Sequence, residues 1–594
     1  MHHMASPGRD EPEGWAGRMT RQARPFGAIT KPGRARLAAL RPMVSFTLGC
    51  ALLALLLFLP ATPGDFPFGW VDGIPVELLA AAGLLLLAQG LVFRLLLAVI
   101  GLAAAVILFL KLADLGTYSA FGRPFNPLLD VVILTDGWNL LTGTVGLAEA
   151  FAIIAAAIAV WALAIAILVY ALAQGRKLRG PRAHRIGAVA CILALLGGVA
   201  DYADRPNPEG IPLLSAENSA FATGRIDLIR QSSLDLIAFE SDLAADPLAD
   251  LAGQPILQAL GGRDVYILFV ESYGRTVLSD PAYRALIEPR LKAVEKQLSE
   301  AGYGARSGWL ASPTVGGQSW LAHGALLSGL PTTDQHRYDR MIASERQTLN
   351  ALFRRSGWRT VAVMPAITMD WPEGGYYGYD EIFAAADLGY RGLPFNWVTM
   401  PDQYTLSAAR RIVESADRPV MVEAALISSH APWTPIPRLV PWDAVGDGTV
   451  FDAQASVGPT PKEVWAEPAR VRDHFVRSID YALQTIGDFI ARFGDDAVFI
   501  VLGDHQPARL LTGDGAGRDV PFHILANDPA VLERLGPLGL DNGLIPAEDQ
   551  ASRTMWSVRE SLVRTLTNAG RSEDGTERTA GSSTARSELI DKGY

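Results

Sequence analysis

The sequence predicts two structural units: an α-helical membrane domain, and after it an outer α/β domain with a mostly parallel sheet covered by helices on both faces. Three observations support this prediction. Apolar runs crowd the first 200 of the 594 residues, and basic connections between them alternate with connections poor in positive charge. From residue 263 onwards, short apolar strands alternate with helical segments. The chain is also longer than one typical domain, so more than one unit is expected.

The composition narrows the classes of function. The formal net charge is −10 and the sequence pI is about 5.5, which gives no reason to expect nucleic-acid binding. The mean hydropathy of +0.19 is high for a wholly soluble protein and indicates membrane segments. The two cysteines, Cys50 and Cys191, both lie in apolar runs, so no disulfide framework is indicated.

Five apolar runs predict transmembrane helices, because a spanning helix needs roughly 20 apolar residues. Their approximate bounds are 43–62, 75–93, 95–112, 149–173 and 186–201. The third and fifth runs are short, so four helices are an alternative count. So many apolar runs in succession argue against buried core helices of a soluble protein.

Positively charged residues predict the orientation in the membrane. Residues 1–42 carry eight Lys or Arg, and the segment "GRKLRGPRAHR" after the fourth run carries five more. The connection after the first run, "ATPGDFPFGWVDGIP", carries none. This alternation predicts that the N-terminus lies in the cytoplasm and that the chain after residue 202 lies outside.

These patterns define the expected domain boundaries. A basic cytoplasmic segment is expected first, then the transmembrane domain, a helical linker along the membrane surface, the outer domain and a polar tail expected to be disordered. The corresponding ranges are 1–42, 43–201, 202–262, 263–566 and 567–594.

Five apolar strands are expected in the outer domain. They are "DVYILFVES" (264–272), "WRTVAVMP" (358–365), "PVMVEAALIS" (419–428), "DAVFIVLGD" (496–504) and "PFHILAN" (521–527). Continuous apolar strands between helices are typical of a sheet buried on both faces. Ligands of such sheets bind at the carboxyl ends of the strands, so the residues there are the first candidates for a site.

Three of these strands end in side chains that can bind a metal. Glu271 ends the first strand, His430 follows the third, and Asp504 and His505 follow the fourth. Each has a structural alternative: a turn residue for the carboxylates, and a packed histidine bonded to backbone for His430. Their recurrence at strand ends favours a metal site, and carboxylates with imidazole suit a cation such as zinc or manganese.

The stretch "TVGGQSWLAHGALLSG" (314–329) places Ser319 behind two glycines, Gly316 and Gly317, at a predicted helix start. The hydroxyl can cap the helix or act as a nucleophile. A bound cation would make the serine proton easier to lose, and the helix start offers N–H groups to an anion. We therefore predict a metal-activated nucleophile, with Gly316 and Gly317 letting the backbone approach a bound anion.

At these residues the sequence resembles the alkaline phosphatase/sulfatase superfamily. More narrowly, it is similar to the membrane-anchored branch of lipoteichoic acid synthases and related phosphoglycerol transferases. The motifs "VESYGR", "GGQSWLAHG", "SSHAPWTPIP" and "LGDHQP" come in the family's order within residues 264–530. The resemblance implies one divalent cation, Mn²⁺ or Zn²⁺ with Mg²⁺ as a further alternative. It places the metal ligands at Glu271, Ser319, Asp504 and His505, with Ser319 where the lipoteichoic acid synthases have a nucleophilic threonine.

The resemblance also implies contacts to the substrate. His430 matches a histidine that contacts the substrate phosphate and helps to protonate the leaving group, and Trp371 matches an aromatic residue of the substrate pocket. Glu373 departs from the pattern, because the phosphoglycerol enzymes have a phosphate-clamping arginine there. Three arginines are candidates to compensate: Arg275, Arg337 and Arg340.

Two further histidines are expected near the site. His323 lies four residues after Ser319 on the same helical face, and we expect it to pack beside or behind the site rather than bind the metal. His523 lies in the last apolar strand, where a supporting role behind the ligands and an ordinary core position are equally compatible with the sequence.

The resemblance implies a metal-dependent phosphotransferase of the bacterial cytoplasmic (inner) membrane, multi-pass, with its catalytic domain on the periplasmic or extracellular side. Ser319 would attack a phospholipid donor, and a phosphoglycerol-like head group would pass to a hydroxyl of a glycan or lipid acceptor. One alternative is a phosphodiesterase or sulfuric-ester-type hydrolase with the same site. Another is a non-catalytic, lipid-sensing member of the fold.

Overall fold

A computed structural model describes most of the chain, in the ranges 32–63, 73–131, 145–178, 180–204, 214–513 and 515–567, with isolated residues between 132 and 144. The first 31 residues of the predicted cytoplasmic segment and the predicted tail from residue 568 lie outside the described residues. Element boundaries below refer to the described part of the chain.

Apolar helices form the first part of the described chain: α1 (Pro32–Leu57), α2 (Val76–Leu87), α3 (Gly90–Phe121), α4 (Leu147–Ala173) and α5 (Pro181–Asp204). Many of their apolar side chains are exposed, among them Val160 at 68% and Leu163 at 60%, as expected for contact with lipid. Among the described residues, four stretches are long and apolar enough to cross a membrane: Leu40–Leu57, Gly90–Phe121, Leu147–Lys177 and Pro181–Ala200.

The second apolar run differs from the span expected over 75–93. α2 has only 12 residues, shorter than the roughly 20 of a typical crossing, and the predicted orientation, with the N-terminus and the outer domain on opposite sides, requires α2 to cross as the fifth span. The chain leaves the helix at Ala88, and Gly90 begins α3 with a φ of +56°, a backbone conformation that favours glycine. α3 then continues past the predicted end at 112 to Phe121. The sequence predicted a break between two runs at 93–95, a few residues after the observed one, which lies at Gln89 and Gly90.

The linker is attached to the membrane domain. Strand β1 (Ile74–Pro75) pairs in parallel with β2 (Leu214–Ser215), and helix α6 (Glu217–Ala244) follows. In α6, Arg225 forms an ion pair with Asp114 of α3 and donates to the carbonyl oxygen of Phe125 at 2.7 Å. The linker helix therefore holds the end of α3 and the residues after it in place.

The described residues of the outer domain contain a nine-stranded sheet. Its strands are β3 (Val265–Val270), β4 (Gly304–Ala311), β5 (Arg359–Met364), β6 (Glu381–Ala384), β7 (Val420–Leu426), β8 (Val498–Gly503), β9 (Asp519–Ala526), β10 (Asp541–Asn542) and β11 (Arg553–Thr554). Their order is β10–β4–β9–β8–β3–β7–β5–β6, with β11 beside β4. The strands β8, β3, β7, β5 and β6 are parallel, whereas β9 is antiparallel to both β8 and β4.

The five predicted strands correspond to β3, β5, β7, β8 and β9, and the predicted fold class is confirmed. The register decides where the strand-end residues lie. Val270 of β3 is paired with Leu426 of β7 on one side and with Gly503 of β8 on the other. The residues that follow these three strands therefore emerge side by side. The sequence did not predict β4, because "GARSGWLA" lacks a continuous apolar run.

Helices cover both faces of the sheet, as predicted. On one face, Tyr266 and Leu268 of β3 pack into a core that includes residues of the helices Pro281–Glu300 and Pro468–Phe493. On the other face, Ile267 and Phe269 pack into a core that includes residues of the helices Ser319–Ser328 and Ser557–Thr567. The helices of this domain are α7 (Thr276–Ser279), α8 (Pro281–Glu300), α9 (Ser319–Ser328), α10 (Gln335–Ile342), α11 (Leu349–Arg355), α12 (Gly374–Tyr377), α13 (Asp402–Glu414), α14 (Asp452–Ala455), α15 (Pro461–Trp465), α16 (Pro468–Phe493), α17 (Arg509–Thr512), α18 (Pro529–Arg534) and α19 (Ser557–Thr567).

Candidate metal centre and nucleophile

The structure brings together all four residues predicted as metal ligands. Glu271, Asp504 and His505 follow the adjacent strands β3 and β8, and one ligand atom from each lies within 4.8 Å of the others. All three are buried, with Glu271 the most exposed at 9%. Ser319 donates from Oγ to Glu271 Oε2 at 3.2 Å, and its Oγ lies 3.2 Å from His505 Nε2.

Neighbouring backbone groups orient these side chains. His505 Nδ1 lies 2.9 Å from the carbonyl oxygen of Gln506, so Nδ1–H donates there and Nε2 faces the two carboxylates. Asp504 Oδ1 accepts hydrogen bonds from the backbone N–H of Ser272 at 2.8 Å and of His505 at 2.6 Å. Ser272 also donates from Oγ to Glu271 Oε1 at 2.7 Å. Ser272 and Gln506 were not predicted from the sequence, because part of the role of each depends on backbone atoms, which any residue type could supply.

The pKa values of the three buried groups are shifted by burial and by each other. Burial raises the pKa of Glu271, but the charges of His505 and His430 and a hydrogen bond from Ser272 outweigh burial and hold the pKa at about 2. Burial and the charge of Glu271 raise the pKa of Asp504 to about 6. Burial lowers the pKa of His505, but the charges of Asp504 and Glu271 outweigh it and raise the pKa. At pH 7 the two carboxylates outnumber one imidazolium, which leaves the buried cluster net negative.

These residues fit a divalent cation. Two carboxylates, an imidazole and a hydroxyl provide the oxygen and nitrogen donors that Zn²⁺ and Mn²⁺ take in proteins. Within the described chain, the cationic partner of both carboxylates is His505, at 3.5 Å from Glu271 and 3.6 Å from Asp504. A buried, net negative cluster without a lysine or arginine partner is costly, and a bound cation would remove that cost.

Ser319 is the first residue of α9, and it does not cap the helix. The capping position is occupied by Gln318, which has a φ of +61° and makes no side-chain capping hydrogen bond. The capping interpretation of Ser319 is wrong, because its hydroxyl is directed to the side chains that follow β3 and β8. The positive end of the helix dipole lies at the same place and favours an anion beside the hydroxyl.

The glycine loop before Ser319 contacts the end of the membrane helix α3. A Cβ added at Gly316 would lie 1.8 Å from the carbonyl oxygen of Ala120, and one at Gly317 would lie 3.8 Å from the ring of Phe121. The N–H of Gly316 also donates to the carbonyl oxygen of Gln506 at 2.7 Å. The loop is therefore held between the metal-ligand loop and the membrane domain.

Substituting Gly316 with alanine is expected to slow any reaction of Ser319 at least about 10-fold, equivalent to about 1.4 kcal/mol. The new Cβ would force the loop away from Ala120, and the φ of +75° is unfavourable for alanine. The rate per folded molecule can be measured with a synthetic phosphodiester. Gly515→Ala is the matched control, because Gly515 has a φ of +81° but nothing within 4 Å of an added Cβ. Equal effects of the two variants would contradict the role given to the Ala120 contact.

The predicted substrate residues His430 and Trp371 lie in the segments that follow β7 and β5. His430 is exposed just after β7, and its Nδ1 lies 2.7 Å from the carbonyl oxygen of Ala431, which leaves Nε2 available to a ligand. Ser429 donates from Oγ to the carbonyl oxygen of Glu271 at 2.6 Å, which ties the two loops together. Trp371 is half-buried and belongs to an aromatic group with Tyr377 and Tyr379.

The two further histidines make contacts outside the ligand cluster. His323 Nδ1 lies 2.6 Å from Glu423 Oε1 in β7. His523 is buried in β9, with Nδ1 2.7 Å from Ser307 Oγ and Nε2 3.2 Å from the hydroxyl of Tyr273. Burial lowers the pKa of His523 to about 3, so its imidazole is neutral. Glu423 was not predicted, although a charged residue inside the apolar run "VMVEAAL" was a signal that could have identified it.

The three arginines considered as phosphate clamps each have a carboxylate partner. Arg275 pairs with Asp519 at 2.8 Å, Arg337 lies 3.4 Å from Asp334, and Arg340 pairs with Glu240 at 2.6 Å. Glu373, at the position of the expected arginine, precedes helix α12. These ion pairs give no support to compensation by any of the three.

Comparison with known proteins relates the outer domain to one family. Residues 285–525, less than half of the chain, match the Sulfatase family model, in agreement with the predicted resemblance to the alkaline phosphatase/sulfatase superfamily. No curated protein matches the sequence significantly.

Several solved structures are similar at low identity. The lipoteichoic acid synthase LtaP from Listeria monocytogenes is 14% identical (44% of this chain, 65% of that chain, TM-score 0.32). The lipooligosaccharide phosphoethanolamine transferase A (EptA) from Neisseria meningitidis is 16% identical, and the match covers 90% of this chain and 95% of that chain with a TM-score of 0.44. The C-terminal periplasmic domain of EcEptC from Escherichia coli is 12% identical, and the match covers 52% of this chain and 82% of that chain with a TM-score of 0.33. The chain thus spans less than two thirds of the length of LtaP. At these identities and TM-scores the structures carry no argument about function, and the family resemblance rests on the Sulfatase match of residues 285–525.

Proposed function

We propose that this chain is a metal-dependent phosphotransferase. The premise is that residues 285–525, which match the Sulfatase family model, follow helices long and apolar enough to span a membrane. It would work at the outer, periplasmic or extracellular, face of the bacterial cytoplasmic membrane as a multi-pass protein. The donor is a phospholipid, the transferred group is phosphoglycerol-like, and the acceptor is a hydroxyl of a glycan or lipid. The observation that carries the proposal is the Ser319 hydroxyl, 3.2 Å from both a buried carboxylate and a buried imidazole at a helix N-terminus.

The residues of the cluster suit a nucleophilic serine. A divalent cation held by Glu271, Ser319, Asp504 and His505, either Mn²⁺, Zn²⁺ or Mg²⁺, would supply the positive charge that favours the serine alkoxide and the transferring phosphoryl group. Glu271 and His505 fix the position of Ser319 Oγ by contacts from two different strands. The N-terminus of α9 and the backbone at Gly317 favour the anionic oxygens of a bound phosphodiester.

Two transfers complete the reaction. In the first, Ser319 Oγ gives its proton to water and forms a bond to phosphorus, and the bond from phosphorus to the diacylglycerol oxygen breaks. That oxygen takes a proton from His430 Nε2. In the second, the acceptor hydroxyl gives its proton to His430 Nε2 as its oxygen forms a bond to phosphorus, the bond from phosphorus to Ser319 Oγ breaks, and Oγ takes a proton from water.

The position of the cluster supports a lipid donor. The loop that carries Ser319 contacts the carbonyl oxygen of Ala120 at the end of α3, a helix long and apolar enough to span a membrane. A nucleophile attached in this way stays close to the membrane, where phospholipid head groups are concentrated. A water-soluble ester would gain nothing from this attachment.

Mass spectrometry of the full-length protein after incubation with vesicles tests the proposal. Vesicles of phosphatidylglycerol and of phosphatidylethanolamine are offered separately with Mn²⁺ or Zn²⁺, and the peptide containing Ser319 is analysed for a head-group adduct. An adduct that disappears when an acceptor is added supports transfer. Head group released free in the presence of acceptor would point to a hydrolase instead, and no adduct or turnover with any donor would favour a non-catalytic lipid sensor.

Replacement of His430 with glutamine is expected to slow transfer from phospholipids by about 10²–10⁴-fold, because the diacylglycerol oxygen then lacks its proton donor. A nitrophenyl phosphodiester has a leaving group that needs no proton, so its reaction with Ser319 should slow far less. Stopped-flow rates with the two donors provide this comparison in one variant. An equal loss with both donors would contradict the leaving-group role and indicate a role in binding the phosphate.

A further inference from the structure

A buried histidine–glutamate pair connects the helix of Ser319 to the sheet. His323 Nδ1 in α9 lies 2.6 Å from Glu423 Oε1 in the middle of β7. Glu423 is fully buried, and Tyr379 donates its hydroxyl to the other carboxylate oxygen. The ring of His323 also stacks on Phe269 of β3, with the ring centroids 3.8 Å apart.

His323 lies in α9 and contacts β3 and β7, and each of these three elements carries or leads to one residue of the site. Helix α9 begins at Ser319, one turn before His323, and residues four apart lie on the same face of a helix. Phe269 lies near the end of β3, two residues before Glu271. Glu423 lies in the strand that leads to His430. A single imidazole therefore contacts the two strands that lead to a metal ligand and to the proposed proton donor.

The stability of the fold does not explain this pair. Burying a carboxylate and an imidazole costs desolvation, and apolar side chains of similar volume are often as stable or more stable. Glu423 interrupts a strand that is otherwise apolar, "VMVEAAL". Its two oxygens are nevertheless satisfied by two donors, His323 and Tyr379. A satisfied buried network of this kind fixes one arrangement through directional hydrogen bonds, which apolar packing does not do.

We propose that His323 is a positioning residue: held by Glu423 and stacked on Phe269, it sets the rotation of α9 about its axis. That rotation determines where Ser319 Oγ lies relative to Glu271 and His505. The kinetic part of this inference rests on the proposed function of Ser319 as nucleophile. Partners that orient reactive or metal-bound groups in this way typically account for about 10–100-fold in affinity or activity.

The test compares an isosteric variant with an apolar one in the full-length protein. Glu423→Gln keeps the shape of the side chain but removes the carboxylate that accepts from His323 and Tyr379. The double variant His323→Leu/Glu423→Leu replaces the pair with apolar side chains. For both, we expect the rate of Ser319 adduct formation at saturating donor to fall about 10–100-fold with KM nearly unchanged. The Tm of the double variant should equal or exceed the wild-type value.

A merely stabilising role predicts the opposite pattern. The double variant would then keep the wild-type rate per folded molecule, and this result would overturn the proposal. If the double variant does not fold, Glu423→Gln decides alone by the same comparison of rate and KM. Ser328→Ala is the matched control in α9, because it removes the hydrogen bond from Ser328 Oγ to the carbonyl oxygen of Gly324 at 2.7 Å, away from the site. It should lower Tm without changing the rate.

The two proposals fail in different ways. If the wild-type protein forms no adduct on Ser319 with any donor, the proposed function is wrong. If the wild-type protein reacts and both pair variants react at the same rate, only the positioning role of His323 is wrong.

Discussion

Alanine at position 319 is expected to reduce transfer by roughly 10⁴-fold or more and to eliminate the covalent adduct, because no other group replaces the attacking oxygen. Ser319 Oγ is the atom that lies 3.2 Å from Glu271 Oε2 and 3.2 Å from His505 Nε2. Transfer can be measured with fluorescent phospholipid, and the adduct by mass spectrometry of the same samples. The fold should persist, because removing one partly buried hydroxyl leaves the packing of α9 intact.

Ser319→Thr is the matched control for this variant. Threonine keeps a hydroxyl on Cβ and adds one methyl group, so part of the activity should remain. An adduct on the Ser319→Ala protein, or transfer close to the wild-type rate, would show that another residue is the nucleophile. Equal inactivity of the alanine and threonine variants would instead indicate that the site tolerates no added methyl group.

Asp504→Asn is expected to abolish tight binding of Mn²⁺ or Zn²⁺ while stabilising the metal-free protein at pH 7. The asparagine keeps one oxygen for the N–H groups of Ser272 and His505 but removes a negative charge next to Glu271. The cation then loses an anionic ligand, and the repulsion between two buried carboxylates disappears. Calorimetric titration measures the binding, and thermal unfolding in chelator measures the stability.

The sign of the pH dependence follows from the pKa of Asp504. Burial and the charge of Glu271 raise this pKa from 3.8 to about 6 in the folded protein. The folded, metal-free protein therefore favours the protonated form of Asp504. The stability that this form provides is fully present below about pH 4 and is lost as the pH rises through about 6. At pH 7 the Asp504→Asn variant should unfold roughly 3 °C or more above the wild type, with the difference vanishing near pH 4.

Cation binding has the opposite dependence on pH, because the metal competes with the proton on Asp504. Affinity for Mn²⁺ in the wild-type protein should increase as the pH rises from 5 to 7. Asp443→Asn, at an exposed position, is the control and should change neither property. Unchanged cation affinity in the Asp504→Asn variant would remove Asp504 from the ligand set.

Much of the site was predictable from the sequence because its residues follow apolar strands. The runs that end at Glu271, before His430 and at Asp504 are continuous and strongly apolar, and parallel strands place their carboxyl ends at one edge. The apolar character of each run is a local property, so one sequence is enough to recognise it. The same reasoning located the helix start at Ser319 behind its glycines.

Other features depended on contacts between residues far apart in the chain. The partner of His323 is Glu423, 100 positions away, and nothing near either residue indicates the other. The contact of Gly316 with Ala120 requires the end of a membrane helix to reach the outer domain. The break between α2 and α3 lies at Gln89 and Gly90, a few residues before the boundary at 93–95 that the apolar runs predicted.

The sequence by itself determined which residue types stand at the strand ends and at the start of α9, and hence the chemistry the site can perform. Only the tertiary structure decided that Ser319 Oγ is directed to Glu271 and His505, which lie 48 and 186 positions away, rather than to its own helix. The physical reason is the sheet register. Val270 is paired with Gly503, and this pairing brings Glu271 and Asp504 to one point that no local pattern specifies.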